Sequence, residues 1–359
     1  MIEDHNLKLT EQQYRDLEIP SYSMLASISK QGVDIVKGEK VSFDFKFGSL
    51  VDCLCFEPHK VADIYYQGAS PKPPTKNVKD ICDIILDGIT SKPGQIQQSE
   101  SALGRRRSAK VTTNLLDYKG QIIAAAAKLK VYKNYTEEKL MDSVVIPGQE
   151  YFKDKLESRG KVLIKPEMWA LANEAAKTLQ THKFTGKYFN HRTPGVQIIY
   201  QYKFDTKVNG RRVKGMLDCL IVNHNAKVII PVDLKTGEEP AIHFPQLLLG
   251  YRYYIQGALY KEALESIVDS DFDLAGYVVK NFEFVFLSKQ NIWKPLIYIM
   301  PDELHQAALD GFVDRYGNEH RGVWELLEDY YDCVDNGFCD YISPVEMNKG
   351  RILMDNLIQ

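Results

Sequence analysis

Val228-Ile-Ile-Pro-Val-Asp233-Leu234-Lys235-Thr236 is the stretch on which the reading of this chain turns. An apolar run bounded by turn residues reads as a buried strand, and here it closes on two opposite charges. Side chains alternate across a strand, so Asp233 and Lys235 share a face while Leu234 points into the core. The plain reading is a salt bridge on an edge strand. The tripeptide alone does not decide, because Asp44-Phe-Lys46, Asp117-Tyr-Lys119, Glu137-Glu-Lys139 and Asp205-Thr-Lys207 have the same form.

The flanking sequence separates Asp233 from those copies. Upstream, Val196, Ile198, Tyr200, Tyr202 and Phe204 alternate with Gln197, Gln201 and Lys203, which predicts a strand. Asn209-Gly210 is a two-residue hairpin signal, and a second strand is expected from about Arg212 to Val222. Asn223-His-Asn-Ala then turns the chain into the strand Lys227 to Lys235. This three-strand antiparallel meander brings Asp218 within a residue or two of lying opposite Asp233. Two carboxylates that close are costly unless a cation sits between them, which motivates a Mg²⁺ or Mn²⁺ site.

Downstream, a helix is expected from Pro245 to about Glu265. Gln256 and Tyr260 lie four apart on one face of it, with Tyr253 a turn earlier. Their amide and phenol groups are candidates to reach a phosphate or a metal-bound water, while Ile255, Leu259 and Ala263 pack inward.

The remaining chain bounds the possibilities. At 359 residues, 44% hydrophobic and 26% charged, it can bury a sizeable core, and the expectation is a single α+β domain over residues 1–359. A polar and helical insertion is expected over 70–150, a core sheet and helix over 196–300, and helices over 301–359. The last region divides into Asp302 to about Tyr316 and Val323 to Asn336, with Gly337 as a cap. A net charge of -3 offers no overall basic surface, so contact with an anionic polymer must use a local patch. Arg105, Arg106 and Arg107 with Lys110, and Lys203, Lys207, Arg211, Arg212 and Lys214 on the hairpin, are the candidate patches. Tyr253 is the candidate aromatic contact.

Six cysteines without Cys-x-x-Cys spacing argue against a zinc knuckle or a disulfide scaffold. Met1-Ile-Glu-Asp-His-Asn lacks the basic start and apolar run of a signal peptide, and no window approaches membrane-spanning length, so a cytoplasmic location is expected. Near the amino terminus, Phe47-Gly-Ser-Leu-Val-Asp52-Cys-Leu-Cys-Phe56 predicts a helix with residues 47, 50, 51, 54 and 55 as its core stripe. Asp52 lies off that stripe, on the side of Gly48 and Phe56.

Taken in order, these motifs resemble the PD-(D/E)xK nuclease superfamily, in the branch of RecE (exonuclease VIII) and RecB-type nuclease domains. The resemblance is carried by Gly215-Met-Leu-Asp218, by Val232-Asp233-Leu-Lys235-Thr236, and by Tyr251-Arg-Tyr-Tyr-Ile-Gln256-Gly-Ala-Leu-Tyr260, which is similar to the branch's Q-x-x-x-Y helix. Ser21-Tyr-Ser-Met-Leu25, Phe47-Gly-Ser-Leu-Val-Asp52, Gly160-Lys-Val-Leu-Ile-Lys-Pro-Glu167 and Phe284-Val-Phe286 agree with it. It spans roughly residues 20 to 340, interrupted around 70 to 150. Two positions depart from the pattern. Asp52 stands where the branch places a histidine, and Gln197 and Gln201 occupy the strand where many members carry a glutamate.

The resemblance implies a restriction-endonuclease-like α+β fold. It also implies a Mg²⁺-dependent deoxyribonuclease acting on duplex DNA ends from 5′ to 3′. Asp52, Asp218, Asp233 and the Leu234 carbonyl would hold one or two ions, and Lys235 would position the attacking water. Ring-shaped homo-oligomers and a single-strand annealing partner, in a phage or prophage recombination module, are implied by the family only. An endonuclease, a single-strand nuclease and a catalytically silent DNA-binding relative remain alternatives.

Overall fold

The computed structural model describes residues 2–31, 45–69, 74–90, 111–189 and 193–335. The chain divides into two compact units, one of residues 58–173 and one of residues 1–57 with 174–359. Arg105, Arg106, Arg107, Lys110 and Gly337 lie outside the described residues.

Residues 58–173 are mainly helical. Helices Lys76–Thr90, Lys119–Leu129 and Glu137–Glu157 pack around Ile81, Cys82, Leu115, Ile122, Val144 and Phe152. Two short strands, Tyr65–Gln67 and Val162–Ile164, pair in parallel beside them. The third helix runs through Pro147. Thr136 caps it by accepting the Lys139 N–H, and Gly148, pressed against Val78, Cys82 and Leu115, continues it beyond the proline.

The other unit is built on a mixed sheet flanked by helices, which is the α+β arrangement expected. Its helices are α1 (Tyr22–Gln31), α2 (Phe45–Phe56), α3 (Phe244–Gly250), α4 (Tyr253–Ser270), α5 (Asp302–Asp310) and α6 (Val323–Asp335). The strands are β1 (Val196–Val208), β2 (Arg211–Asn223), β3 (Val228–Gly237), β4 (Val278–Val279), β5 (Glu283–Ser288) and β6 (Asn291–Ile299). They lie in the order β1-β2-β3-β5-β6, with β4 also pairing β3. The meander β1-β2-β3 is antiparallel, β5 and β4 join β3 in parallel, and β6 returns antiparallel. Asn209 and Gly210 both take positive φ, 49° and 77°, as a two-residue hairpin requires. Strand β3 is therefore central, covered on both edges, which accounts for its unbroken apolar run and excludes an edge-strand role for Asp233 and Lys235.

Four expectations need correction. The helix from Pro245 is two helices, because Arg252 adopts φ 64° between α3 and α4. Residues 254–260 of α4 are all buried, so its first two turns are enclosed all round, and only from Lys261 on is the helix amphipathic. The alternation expected through β1 slips: Ile199 and Tyr202, three apart, both enter the main core, as do Leu217 and Leu220 on β2. An odd spacing cannot share a face of a regular strand. The irregularity sits at Gln201, whose φ is 50°, and at Asp218 across from it, where the ladder skips a pair without losing register. Finally, α5 ends at Asp310, and the chain makes a two-strand turn, Phe312–Val313 with Glu319–His320, before α6.

Among the described residues no helix is long and apolar enough to cross a membrane.

Candidate metal centre

The site forms where β2 and β3 part. Their ladder ends at Cys219 with Val232, so the next pair in register would be Asp218 with Asp233. In place of the missing backbone bond, the Leu234 N–H donates to Asp218 Oδ2 at 2.8 Å. On the other side Gln201 Nε2 donates to Asp218 Oδ1 at a long 3.4 Å. Gln201, Asp218 and Asp233 thus form a row across three strands. Gln197 lies elsewhere, bonded to Glu3 and His224.

Asp233 is 2% exposed. Gln256 Nε2 donates to its Oδ1 at 2.6 Å, and Lys235 Nζ lies 2.5 Å from its Oδ2. The angles of that ion pair do not make a hydrogen bond, so Oδ2 is neutralised but accepts none. Lys235 also sits 4.7 Å from the centroid of the Tyr253 ring. Burial works against its charge, but Asp233 foremost, with Tyr253, Tyr22 and Asp218, more than offsets this and leaves its pKa raised.

Helix α2 supplies Asp52 by a close approach. A Cβ on Gly48 would lie 2.7 Å from Thr236 Oγ1, so only glycine lets α2 settle against the end of β3. One turn later on the same face stands Asp52. The residue keeps some solvent contact, yet its Oδ1 is shut off from solvent without a hydrogen-bond donor. Burial, then the charges of Asp218 and Asp233, hold the Asp52 pKa well above the usual carboxylate range. Asp218 is pushed up to about 7 by burial and then Asp233, with Lys235 and the Leu234 N–H pulling it back.

Three carboxylates therefore share this region with one ammonium; Asp233 Oδ2 is ion-paired with it, whereas Asp52 Oδ1 and Gln256 Oε1 are buried acceptors left without donors. Buried oxygens without donors are uncommon, and a hard cation is what such a set fits. The set is not tightly closed. Among the described residues, the group whose ligand atoms all lie within 4.8 Å of one another is Glu262, Glu265 and His305 on α4 and α5.

Other expected residues go elsewhere. Tyr260 is buried against Phe204, ring centroids 5.3 Å apart, and its hydroxyl accepts the Met216 N–H at 3.5 Å rather than meeting the carboxylates. Gly215 makes room for this: a Cβ there would lie 2.1 Å from Phe204 Cζ and 2.7 Å from Tyr260 Cε1. Lys214 is 5% exposed, and its ammonium donates to the carbonyls of Tyr14, Arg15 and Leu17, so it is no surface cation. On the same hairpin Arg211 pairs with Glu328 and Arg212 with Asp205, which leaves little of the basic patch. The sequence reading overlooked Tyr22, whose ring lies 6.4 Å from that of Tyr253 and whose own pKa feels Lys235 and Asp233. Its place in Ser21-Tyr22-Ser23 was the available signal.

No family model matches this chain, and no curated protein is similar to it. Among solved structures, a candidate exonuclease from Eubacterium rectale is 14% identical over 88% of this chain and 95% of its own, with a TM-score of 0.33. A protein from Vibrio cholerae is 12% identical over 87% of this chain, with a TM-score of 0.15, and the chain spans 60% of its length. Neither score is high enough to carry a fold or an activity across.

Proposed function

We propose that the chain is a divalent-metal-dependent deoxyribonuclease of the PD-(D/E)xK kind. The observation that carries this reading is the set of buried acceptors without donors around three carboxylates, at the split between two strands. Asp52, Asp218, Asp233 and the Leu234 carbonyl would hold Mg²⁺ or Mn²⁺. When bound, such an ion polarises the phosphate and lowers the pKa of a bound water. Lys235 holds a proton at Nζ beside Asp233, where it orients the attacking water and offsets charge on the transition state. Gln256 fixes Asp233 through Oδ1, and its own Oε1 is left without a donor. Tyr260 acts through β2, by holding the Met216 backbone. Residues 196–300 would be the catalytic part and 70–150 an insertion, with helices α5 and α6 following the catalytic part.

The finer reading is an exonuclease working 5′ to 3′ from duplex ends, as a homo-oligomer alongside an annealing protein. Linear duplex labelled separately at each 5′ and 3′ end, with a closed circle as companion, tests it in Mg²⁺ and in chelator. Loss of 5′ label from linear DNA alone, in Mg²⁺ alone, is the expected result, and Asp233→Ala should abolish it. Cutting of the circle favours an endonuclease. End binding without metal-dependent turnover favours the silent relative, in keeping with Gln201 in place of a carboxylate.

A further inference from the structure

The joint between α3 and α4 is strained and charged in a way that the catalytic reading does not use. Arg252 is a non-glycine residue in the left-handed region, a strained conformation that persists only where its surroundings enforce it. Here Nη1 donates to the Leu249 carbonyl at 2.7 Å, Nε reaches Ser29 Oγ at 3.4 Å, and the backbone N–H also turns to Leu249. The break lifts Tyr251 out of the helix. Its ring is 53% exposed, and its carbonyl accepts the Tyr22 hydroxyl at 3.1 Å.

Tyr251 is the outer end of a ladder of rings. It stacks on Tyr253 with centroids 5.5 Å apart and planes 25° apart, and Tyr253 stacks on buried Phe244 at 6.1 Å and 15°. Lys235 Nζ rests against the middle ring, so the exposed ring is one ring removed from the catalytic ammonium. At the outer end Lys30 Nζ lies 5.4 Å from the Tyr251 centroid. Burial and the neighbouring Arg252 lower the Lys30 pKa, the mark of two cations held near each other. Neither has a carboxylate partner among the described residues.

A half-exposed ring backed by Tyr253, with the Lys30 ammonium over it, Arg252 near Lys30 and the reaction centre one ring away, fits one ligand chemistry once the flexible Lys30 swings off the ring toward an arriving anion. The ring face takes a nucleobase and the cations take the attached phosphate. A base inside a duplex is stacked on both sides and cannot offer its face, so the ligand is an unpaired nucleotide. We propose that Tyr251 is the stacking platform, and Lys30 with Arg252 the anion clamp, for an unpaired nucleotide next to the scissile phosphate. The enzyme would thus hold a single-stranded or frayed DNA end. This rests on the nuclease reading and deepens it.

The test uses the full chain in chelator and a labelled single-stranded oligonucleotide, intact or with one abasic residue moved along it. Tyr251→Ala should weaken binding about 5- to 100-fold, and Tyr251→Trp should preserve it. At one position the abasic residue should cost wild type the same factor and cost Tyr251→Ala nothing more. Lys30→Gln should lower the salt slope of single-strand binding by about 0.7. In Mg²⁺, Tyr251→Ala should raise KM for frayed ends more than it lowers kcat. A matching thermal melt checks that the variant folds, and Tyr251→Phe, which keeps the ring, should bind as wild type. Cleavage with no coupling between Tyr251 and any abasic position overturns the platform and leaves the nuclease. Coupling without metal-dependent cleavage overturns the nuclease and leaves the platform.

Discussion

Two acidic groups border helix α4, and they contrast. Toward the β2–β3 split, Asp52, Asp218 and Asp233 meet one ammonium, which pairs with Asp233, and Asp52 Oδ1 and Gln256 Oε1 are left without donors. Toward α5, Glu262 accepts from or donates to His305 Nε2 at 2.8 Å, and Glu265 pairs with Lys261 at 2.6 Å. The second group is geometrically tighter, and its carboxylates already have partners. Closeness of ligand atoms alone therefore does not mark a metal site; uncompensated buried charge is the better sign, because only there does a cation repay its own dehydration.

Lys235→Ala should break the first group most severely. It removes the ammonium beside Asp233 and the group that orients water, and a fall in kcat of about 10²- to 10⁴-fold is expected. Single-turnover cleavage of end-labelled duplex at saturating Mg²⁺ measures it. A rate within a factor of three of wild type would remove Lys235 from the chemistry.

Proton linkage gives the next effect. The unfolded chain loses the Asp218 proton near 3.8, whereas the folded protein keeps it to about 7. Between those values the folded state binds more protons, so in chelator stability falls as pH rises through this window and stays low above it. The shift corresponds to at most on the order of 4 kcal/mol, and Asp52 acts in the same direction. Thermal melts at pH 5 and pH 8 should show the loss. Mg²⁺ should reverse it at pH 8, and Asp218→Asn should flatten it. Melting temperatures that do not change between those pH values would contradict the buried charge on which the metal reading rests.

The contrast also separates what the sequence could say from what it could not. Period-two apolar spacing and the turn Asn223-His-Asn-Ala were enough to place Asp218 within a residue or two of Asp233, and the β2–β3 register makes them level. Helical spacing put Gln256 forward as a contact for a phosphate or a bound water, but not its bond to Asp233, which depends on how α4 packs on β3. Tyr260 shares that spacing, but its ring was claimed by Phe204 over Gly215, a packing fact no local pattern reveals. The break at Arg252 was invisible for a related reason: apolar spacing continues through it, and the bonds that hold it reach Leu249 and Ser29. Lys214 looked like an outward hairpin cation, and carbonyls some two hundred residues earlier in the chain drew it inside.

Gly48→Ala probes the joint that brings Asp52 into the first group. The new methyl would meet Thr236 Oγ1 at 2.7 Å, so either the hydroxyl or α2 must move. Overpacking of this kind costs about 1–3 kcal/mol. If α2 moves, the Mg²⁺ concentration for half-maximal cleavage should rise, and it should rise less in Gly48→Ala with Thr236→Ala, where the hydroxyl is removed and space is restored. An unchanged Mg²⁺ requirement in a destabilised Gly48→Ala protein would take Asp52 out of the ligand set.

The smallest effect belongs to the second group. Glu265→Gln removes one partner of a half-exposed pair with Lys261, whose side chains are 36% and 12% exposed. A pair one helical turn apart is worth under about 1 kcal/mol, so the melting temperature should move by only a degree or two. Cleavage in Mg²⁺ should stay at the wild-type rate, because Glu265 stands with its own cation and has no role at the strand split. A drop in Mg²⁺-dependent cleavage that extra Mg²⁺ restores would reverse the comparison: the tighter group on α4 and α5 would then be the one that binds the ion, and the donorless oxygens around Asp218 would need another cause.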